Sequence, residues 1–206
     1  MRKTVSLAGF ASIVALIAPS TAVSAATAAP PSAAIEVFET VSTFTAATRV
    51  KQTISFDDLA TGTSLGNPAS FGSVDFRHST AATFKTIGSP AYVPESPPNV
   101  LAPFALDNTL EFGDTTLTFA KRTRAAGLFL VLPAGSNETA IWTTTVTATD
   151  IKSQSVTVTV TFQGVVGEQQ FIGFKSHRPL AAISFGYAGS EHGSSAVIAV
   201  DDITVG

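Results

Sequence analysis

Residues 155–162 read SVTVTVTF, and the alternation is unbroken. Val156, Val158, Val160 and Phe162 fall on one face of an extended chain, and Thr157, Thr159 and Thr161 fall on the other, because successive strand side chains point to opposite sides. A helix would scatter these residues around its axis. β-Branched Val and Thr also suit a pleated surface. Just upstream, residues 141–150, IWTTTVTATD, repeat the pattern, with Trp142, Val146 and Ala148 opposed to Thr143, Thr145, Thr147 and Thr149. An apolar face for the core and a hydroxyl face for water is the pattern of antiparallel sheet.

The same period of two extends outward along the chain. QTISFDD (52–58), SVDFRHS (73–79), ATFKTIG (82–88), TLEFG (109–113), TTLTF (115–119) and AAGLFLVL (125–132) read as strands. So do EQQFIGFKS (168–176), AAISFGYA (181–188) and AVIAVDDITV (196–205). Clusters of Gly, Pro, Asn and Ser such as TGTSLGNPAS, SPAYVPESPPN and SEHGSS separate them. No apolar stripe of helical period lasts beyond two turns. Residues 37–50 are the one candidate for a short helix, and their β-branched content counts against it. About ten short strands without helices predict an all-β, antiparallel β-sandwich of jelly-roll type over residues 35–206.

The first 25 residues read as a signal peptide. Arg2 and Lys3 precede an apolar run from Val5 to Ala18, and Val23 and Ala25 supply the small residues of a cleavage site. Residues 26–34, ATAAPPSAA, form a linker with nothing to bury. Losing Arg2 and Lys3 takes the formal net charge from −3 to −5. A mildly acidic chain with no basic cluster does not suit nucleic acid or anionic membrane as a partner. Zero cysteines in an exported chain point to a bacterial protein held by its core, with a metal as the natural staple.

Catalytic signals are thin. There is no Cys, no G-x-S-x-G, and no metal-ligand spacing among His78, His177 and His192, which read as exposed loop or strand-end residues. Glu95, Glu111, Asp114 and Glu168 are carboxylates that a hydrolase would need in facing pairs. Sequence alone does not pair them. Tyr92, in the proline-rich loop, and Tyr187, before AGSEHGSS, are the aromatic residues best placed to contact a sugar, while Trp142 has core phase. The threonine ladders occupy only two strands, which suits a solvated face rather than an ice-binding surface.

The order ISFDDLATGTSLGN (54–67), GSVDFR (72–77), TTLTFAKRTRAAGLFL (115–130), EQQFIGFKSHRPLAAISFGY (168–187) and VIAVDDITV (197–205) resembles a group of bacterial exported β-sandwich proteins. Many members of that group carry a PEP-CTERM sorting tail. The bracket of an early Phe-Asp-Asp-Leu and a late Val-Asp-Asp-Ile is similar to MAM-type and carbohydrate-binding jelly rolls. The resemblance implies an extracellular or cell-envelope jelly roll, often of unknown activity, of a kind associated with exopolysaccharide-producing bacteria. No Pro-Glu-Pro, apolar span and arginine cluster follow Gly206, so release or periplasmic retention is expected in place of surface anchoring.

The paired acidic residues sharpen the expectation. First and last strands of jelly rolls commonly run side by side, which would bring Asp57-Asp58 to Asp201-Asp202. Opposed carboxylates repel, and a hard cation relieves them. A structural Ca²⁺ on Asp57 or Asp58 with Asp201, and Asp202 in reserve, is the expectation, set against Asp residues that merely hydrogen-bond adjoining turns. The function expected is a secreted, non-catalytic, polysaccharide- or matrix-binding protein. Its rivals are a secreted hydrolase with an unrecognised carboxylate pair and a purely structural matrix protein.

Overall fold

The computed structural model describes residues 34–120, 122–133, 140–163 and 168–206. The signal peptide and nearly all of the linker lie outside the described residues. From the N-terminus the elements are β1 (Ile35–Phe38), α1 (Val41–Ala47), β2 (Gln52–Ile54), β3 (Ser64–Gly66), β4 (Ala69–Phe71) and β5 (Val74–His78). Then come β6 (Thr83–Gly88), β7 (Asn99–Phe104), β8 (Thr115–Phe119), β9 (Ala125–Val131), β10 (Trp142–Asp150) and β11 (Ser155–Phe162). The last are β12 (Gln169–Ser176), β13 (Leu180–Phe185), β14 (Ala188–Ser190), β15 (Ser195–Ala196) and β16 (Ala199–Val205).

Two antiparallel sheets form a sandwich. One runs β1-β12-β9-β16-β7-β6-β3, with β2 also on β16; the other runs β15-β14-β10-β13-β8-β5-β4, with β11 on the free side of β10. The all-β antiparallel sandwich expected from the alternation is the fold observed. Among the described residues it has sixteen strands where about ten were expected, since β2, β3, β4, β14 and β15 are only two or three residues long.

Strand phases follow the sequence. Trp142, Val146, Ala148, Val160 and Phe162 are buried in the main core with Phe56, Phe76, Leu117, Leu128 and Leu130. Thr157, Thr159 and Thr161 face water. Val156 and Val158 are only half-buried, because β11 is an edge strand.

Three local expectations are corrected. A seven-residue helix, α1, forms within residues 37–50 despite its β-branched content. The Thr40 hydroxyl caps it by accepting from Thr43 N, and Phe44 anchors it between Phe38 and Phe171 at centroid distances of 5.7 and 5.6 Å. Gly173 makes room: a Cβ there would lie 2.6 Å from the Phe44 ring. TLEFG is not a strand and contributes one bridge, Phe104 to Leu110. Conversely β7, NVLAPF, is a fully buried strand that the alternation did not reveal. Leu101 faces the main core, while Val100, Ala102 and Phe104 face a second apolar cluster with Tyr92, Val131 and Ala199 on the other side of the same sheet.

Candidate functional site

One member of the early acidic pair, Asp57, does come close to the late pair. β2 pairs with β16 in antiparallel register, Ile54 opposite Ile203, in the middle of a sheet. Beyond Ile54 the chain turns away. Between Asp201 and Thr204 the register of β16 against β9 slips. Asp202 carries the irregularity with φ 34°, a left-handed conformation that Asp tolerates better than most residues. The slip leaves Asp201 fully buried and Asp202 partly so.

The loop before β7 closes over these carboxylates. Ser96 N donates to Asp201 Oδ2 at 3.0 Å, and the Ser96 hydroxyl donates to Asp202 Oδ1 at 2.9 Å. Asp202 N donates to Asp201 Oδ1 at 2.9 Å. Asp57 receives the Ser55 hydroxyl at 2.6 Å and Asn99 N at 3.3 Å. Burial pushes the Asp201 carboxyl up to about 6, with the negative charges of Asp202 and Asp57 adding to the rise and the Ser96 and Asp202 amides opposing it. Asp202 is raised as well, by burial and by Asp57, against the pull of the Ser96 hydroxyl. Asp58, by contrast, is exposed and takes no part.

These carboxylates already accept five hydrogen bonds on their six oxygens. Among the described residues no group of three or more His, Cys, Asp or Glu side chains is spaced to share one metal ion. As placed, the residues form a hydrogen-bonded acidic knot. The carboxylates do hydrogen-bond neighbouring loops, but Asp201 and Asp202 lie inside β16 and do not end it.

At another place in the sandwich, the β7–β8 connection and the β13–β14 turn bring two exposed rings together. Phe112 and Tyr187 are 49% and 50% exposed and meet edge to face at 5.8 Å. Tyr187 thus lies where a ligand could reach it. Asp114 reaches the neighbouring Gly186, whose Cβ position would lie 3.1 Å from Asp114 Oδ1. Below them is His78, which is only 3% exposed, correcting the expectation of an exposed strand-end residue. Its Nδ1 accepts from Ala81 N at 2.9 Å and Thr80 N at 3.3 Å, which assigns the proton to Nε2. Nε2 is buried beside the Gly113 carbonyl but outside hydrogen-bond geometry. Burial lowers the His78 pKa; Glu111, Asp114 and the Gly113 carbonyl oppose that without reversing it. Gly113, with φ 153°, passes so close that a Cβ would lie 2.8 Å from the imidazole. The cleft lined by His78, Glu111, Gly113, Gly186 and Tyr187 is too narrow to admit a water molecule.

Tyr92 does not contact solvent. It is completely buried, burial raises its phenol pKa, and its hydroxyl donates to the Val197 carbonyl at 2.9 Å. The residue anchors the proline-rich loop, and the expected role in ligand contact is corrected. Of the other candidate carboxylates, Glu168 accepts from Gln163 N and from Gln170 Nε2, and Glu95 is exposed. His192 lies 3.7 Å from the Glu191 carboxylate at the surface. Sequence reasoning missed Phe112, because TLEFG reads as a strand and nothing in its pattern marks the ring as exposed.

No family model matches the chain, and no curated protein does. Among solved structures, the K2 cleaved adhesin domain of Lys-gingipain is similar at 10% identity and a TM-score of 0.34, over 75% of this chain and 97% of that chain. A TM-score that low carries no argument about function. Among the described residues no helix is long and apolar enough to cross a membrane, which says nothing of strands.

Proposed function

We propose that the chain is an exported, non-catalytic β-sandwich that binds polysaccharide through the surface around Phe112 and Tyr187. The exposed aromatic pair is the observation that carries this reading. Sugar rings present C–H faces to aromatic rings, and their hydroxyls donate to carboxylates such as those of Glu111 and Asp114. A tight cleft beneath the pair suits contact along a chain surface better than capture of a small molecule. His78 supports the non-catalytic reading: its Nδ1 is taken by backbone amides, and the nearby Thr80 hydroxyl donates to the Phe112 carbonyl at 3.0 Å. The same hydroxyl lies 3.4 Å from His78 Nδ1, whose lone pair the Thr80 and Ala81 amides already engage.

The test is binding of the exported protein to a panel of soluble acidic and neutral polysaccharides. Tyr187→Ala and Phe112→Ala should each weaken retention about tenfold, on the order of the 1–1.5 kcal/mol such ring contacts contribute, with little change in melting temperature. Retention unchanged in both variants, or none in the wild type, would remove the proposal. Intact-mass measurement of the exported form, expected to begin near Ala26, tests the export half of the same reading.

Calcium enters this reading through the acidic knot alone. Three carboxylates crowd there, and no Lys or Arg lies within 4.0 Å of any of them among the described residues. A proton on Asp201 relieves that crowding, and so would a cation that displaced the loop amides. At millimolar Ca²⁺, a site of extracellular affinity would add about 0.5–1.5 kcal/mol. Melts with Ca²⁺ and with EDTA, on wild type and Asp201→Asn, decide between them: an EDTA-dependent drop confined to the wild type favours the ion. The same response in both proteins retires it.

A further inference from the structure

We propose that β11 is a self-association edge, through which two copies of the chain pair β11 to β11, antiparallel, about a twofold axis at Val158. β11 binds β10 on one side, and among the described residues no backbone group reaches its other side. Alternate residues along eight positions therefore direct N–H and C=O groups outward. Native edge strands are usually blunted by Lys, Pro, bulges or shortness. Ser155–Phe162 has no charge, no Pro and no Gly, and pairs with β10 in unbroken register.

The strand is complementary to itself. An antiparallel axis through Val158 sets Val156 opposite Val160 of the second copy, Val158 opposite its own equivalent, Thr157 opposite Thr159 and Ser155 opposite Thr161. Apolar residues meet apolar ones on the inner face, and hydroxyls meet hydroxyls on the outer face. No like charges are opposed, and the cross-strand Thr pairing repeats the bond already made between Thr147 and Thr157 at 2.8 Å. The ends are complementary in charge. Lys152 precedes β11, while Glu168 sits just past its other end, bound to Gln163 N. Antiparallel pairing brings each Lys152 toward the other copy's Glu168.

A groove of about 250 Å³ lies between β11 and the other sheet, lined by Val158, Val160, Gln170, Phe171, Ile172 and Glu39. The second copy's inward valines would extend the core over that groove. The half-burial of Val156 and Val158 marks apolar surface that a second strand would cover.

The absence of cysteine makes the test clean. Directly opposed residues in an antiparallel pair come within disulfide reach, with Cα atoms about 4.5–5.5 Å apart. The full exported chain carrying Val158→Cys should form a disulfide-linked dimer at least about tenfold faster than Thr145→Cys, an exposed position on the neighbouring strand. By sedimentation, wild type should dimerise reversibly with concentration. Lys152→Glu and Glu168→Lys should each weaken that dimer, and the double exchange should restore it. The charge variants keep the proposal testable if Val158→Cys folds poorly. A monomer at every concentration, equal crosslinking at 158 and 145, or a dimer indifferent to the charge exchanges would each overturn it.

Discussion

Asp201 concentrates the electrostatic cost of this fold in one residue. Its carboxyl titrates near 6, chiefly through burial. An acid raised in the folded state binds its proton more tightly there. Its stabilising contribution is therefore complete below the ordinary Asp range and is lost as pH rises through about 6. The difference amounts to about 3 kcal/mol. In EDTA, wild-type stability should fall between pH 4 and pH 7 more steeply than that of Asp201→Asn, as read from urea melts across that range. Bound Ca²⁺ would invert the trend, because it favours the ionised form. His78 acts with the opposite sign: its pKa is lowered, so its contribution is present above the ordinary His range and is lost as pH falls. His78→Gln should accordingly be less sensitive to acid than wild type. Tyr92→Phe removes the bond to the Val197 carbonyl and should cost about 1 kcal/mol in a denaturant titration, without affecting polysaccharide retention.

The β10–β11 hairpin shows the consequences of an edge position at the level of elements. Truncating Val160, on the core face of β11, to Ala should cost about 1–3 kcal/mol, whereas Val158→Ala should cost less because that side chain is already half in solvent. Thr159→Ser, on the water face, should be nearly silent. The hairpin turn rests on Asp150. One of its oxygens accepts Lys152 N at 2.7 Å and Gln154 N at 3.0 Å, and the Arg178 guanidinium lies 3.6 Å from the other. Burial opposes its ionisation, yet the two amides and Arg178 hold the carboxyl below the ordinary range. Asp150→Ala should destabilise the domain by stripping the Lys152 and Gln154 amides of the turn of their acceptor, with chemical denaturation as the measure. Strands with one wet face were legible because water enforces alternation. β7 was not, since its sheet is covered on both sides there and Pro103 interrupts the run. Nor was the boundary between TLEFG and a true strand: Leu110 makes one bridge and the chain then bends toward His78.

At the scale of the whole molecule, β16 holds the last residues of the chain in the interior of a sheet, between β9 on one side and β7 with β2 on the other. Removing residues 199–206 exposes the inner edges of three strands and opens the core at Ile203 and Val205. Such a truncation should abolish the cooperative melt and the near-ultraviolet dichroism altogether, whereas trimming before Ile35 should leave both intact. The sequence by itself determined the all-β class, the strand phases and the placement of Trp142 in the core. Each follows from local alternation between an apolar side and a wet one. It also pointed to Asp57 nearing the late acidic pair, although the strand beside β16 there is β2 and the first strand, β1, pairs with β12. Only the tertiary structure decided which carboxylates share the knot, that Tyr92 is an anchor and Tyr187 a surface, and that His78 is buried. Those outcomes depend on which loop folds over which sheet face, and loop placement is set by packing between residues about a hundred positions apart, such as Tyr92 with Val197 and Ser96 with Asp201, which leaves no periodic trace in the chain.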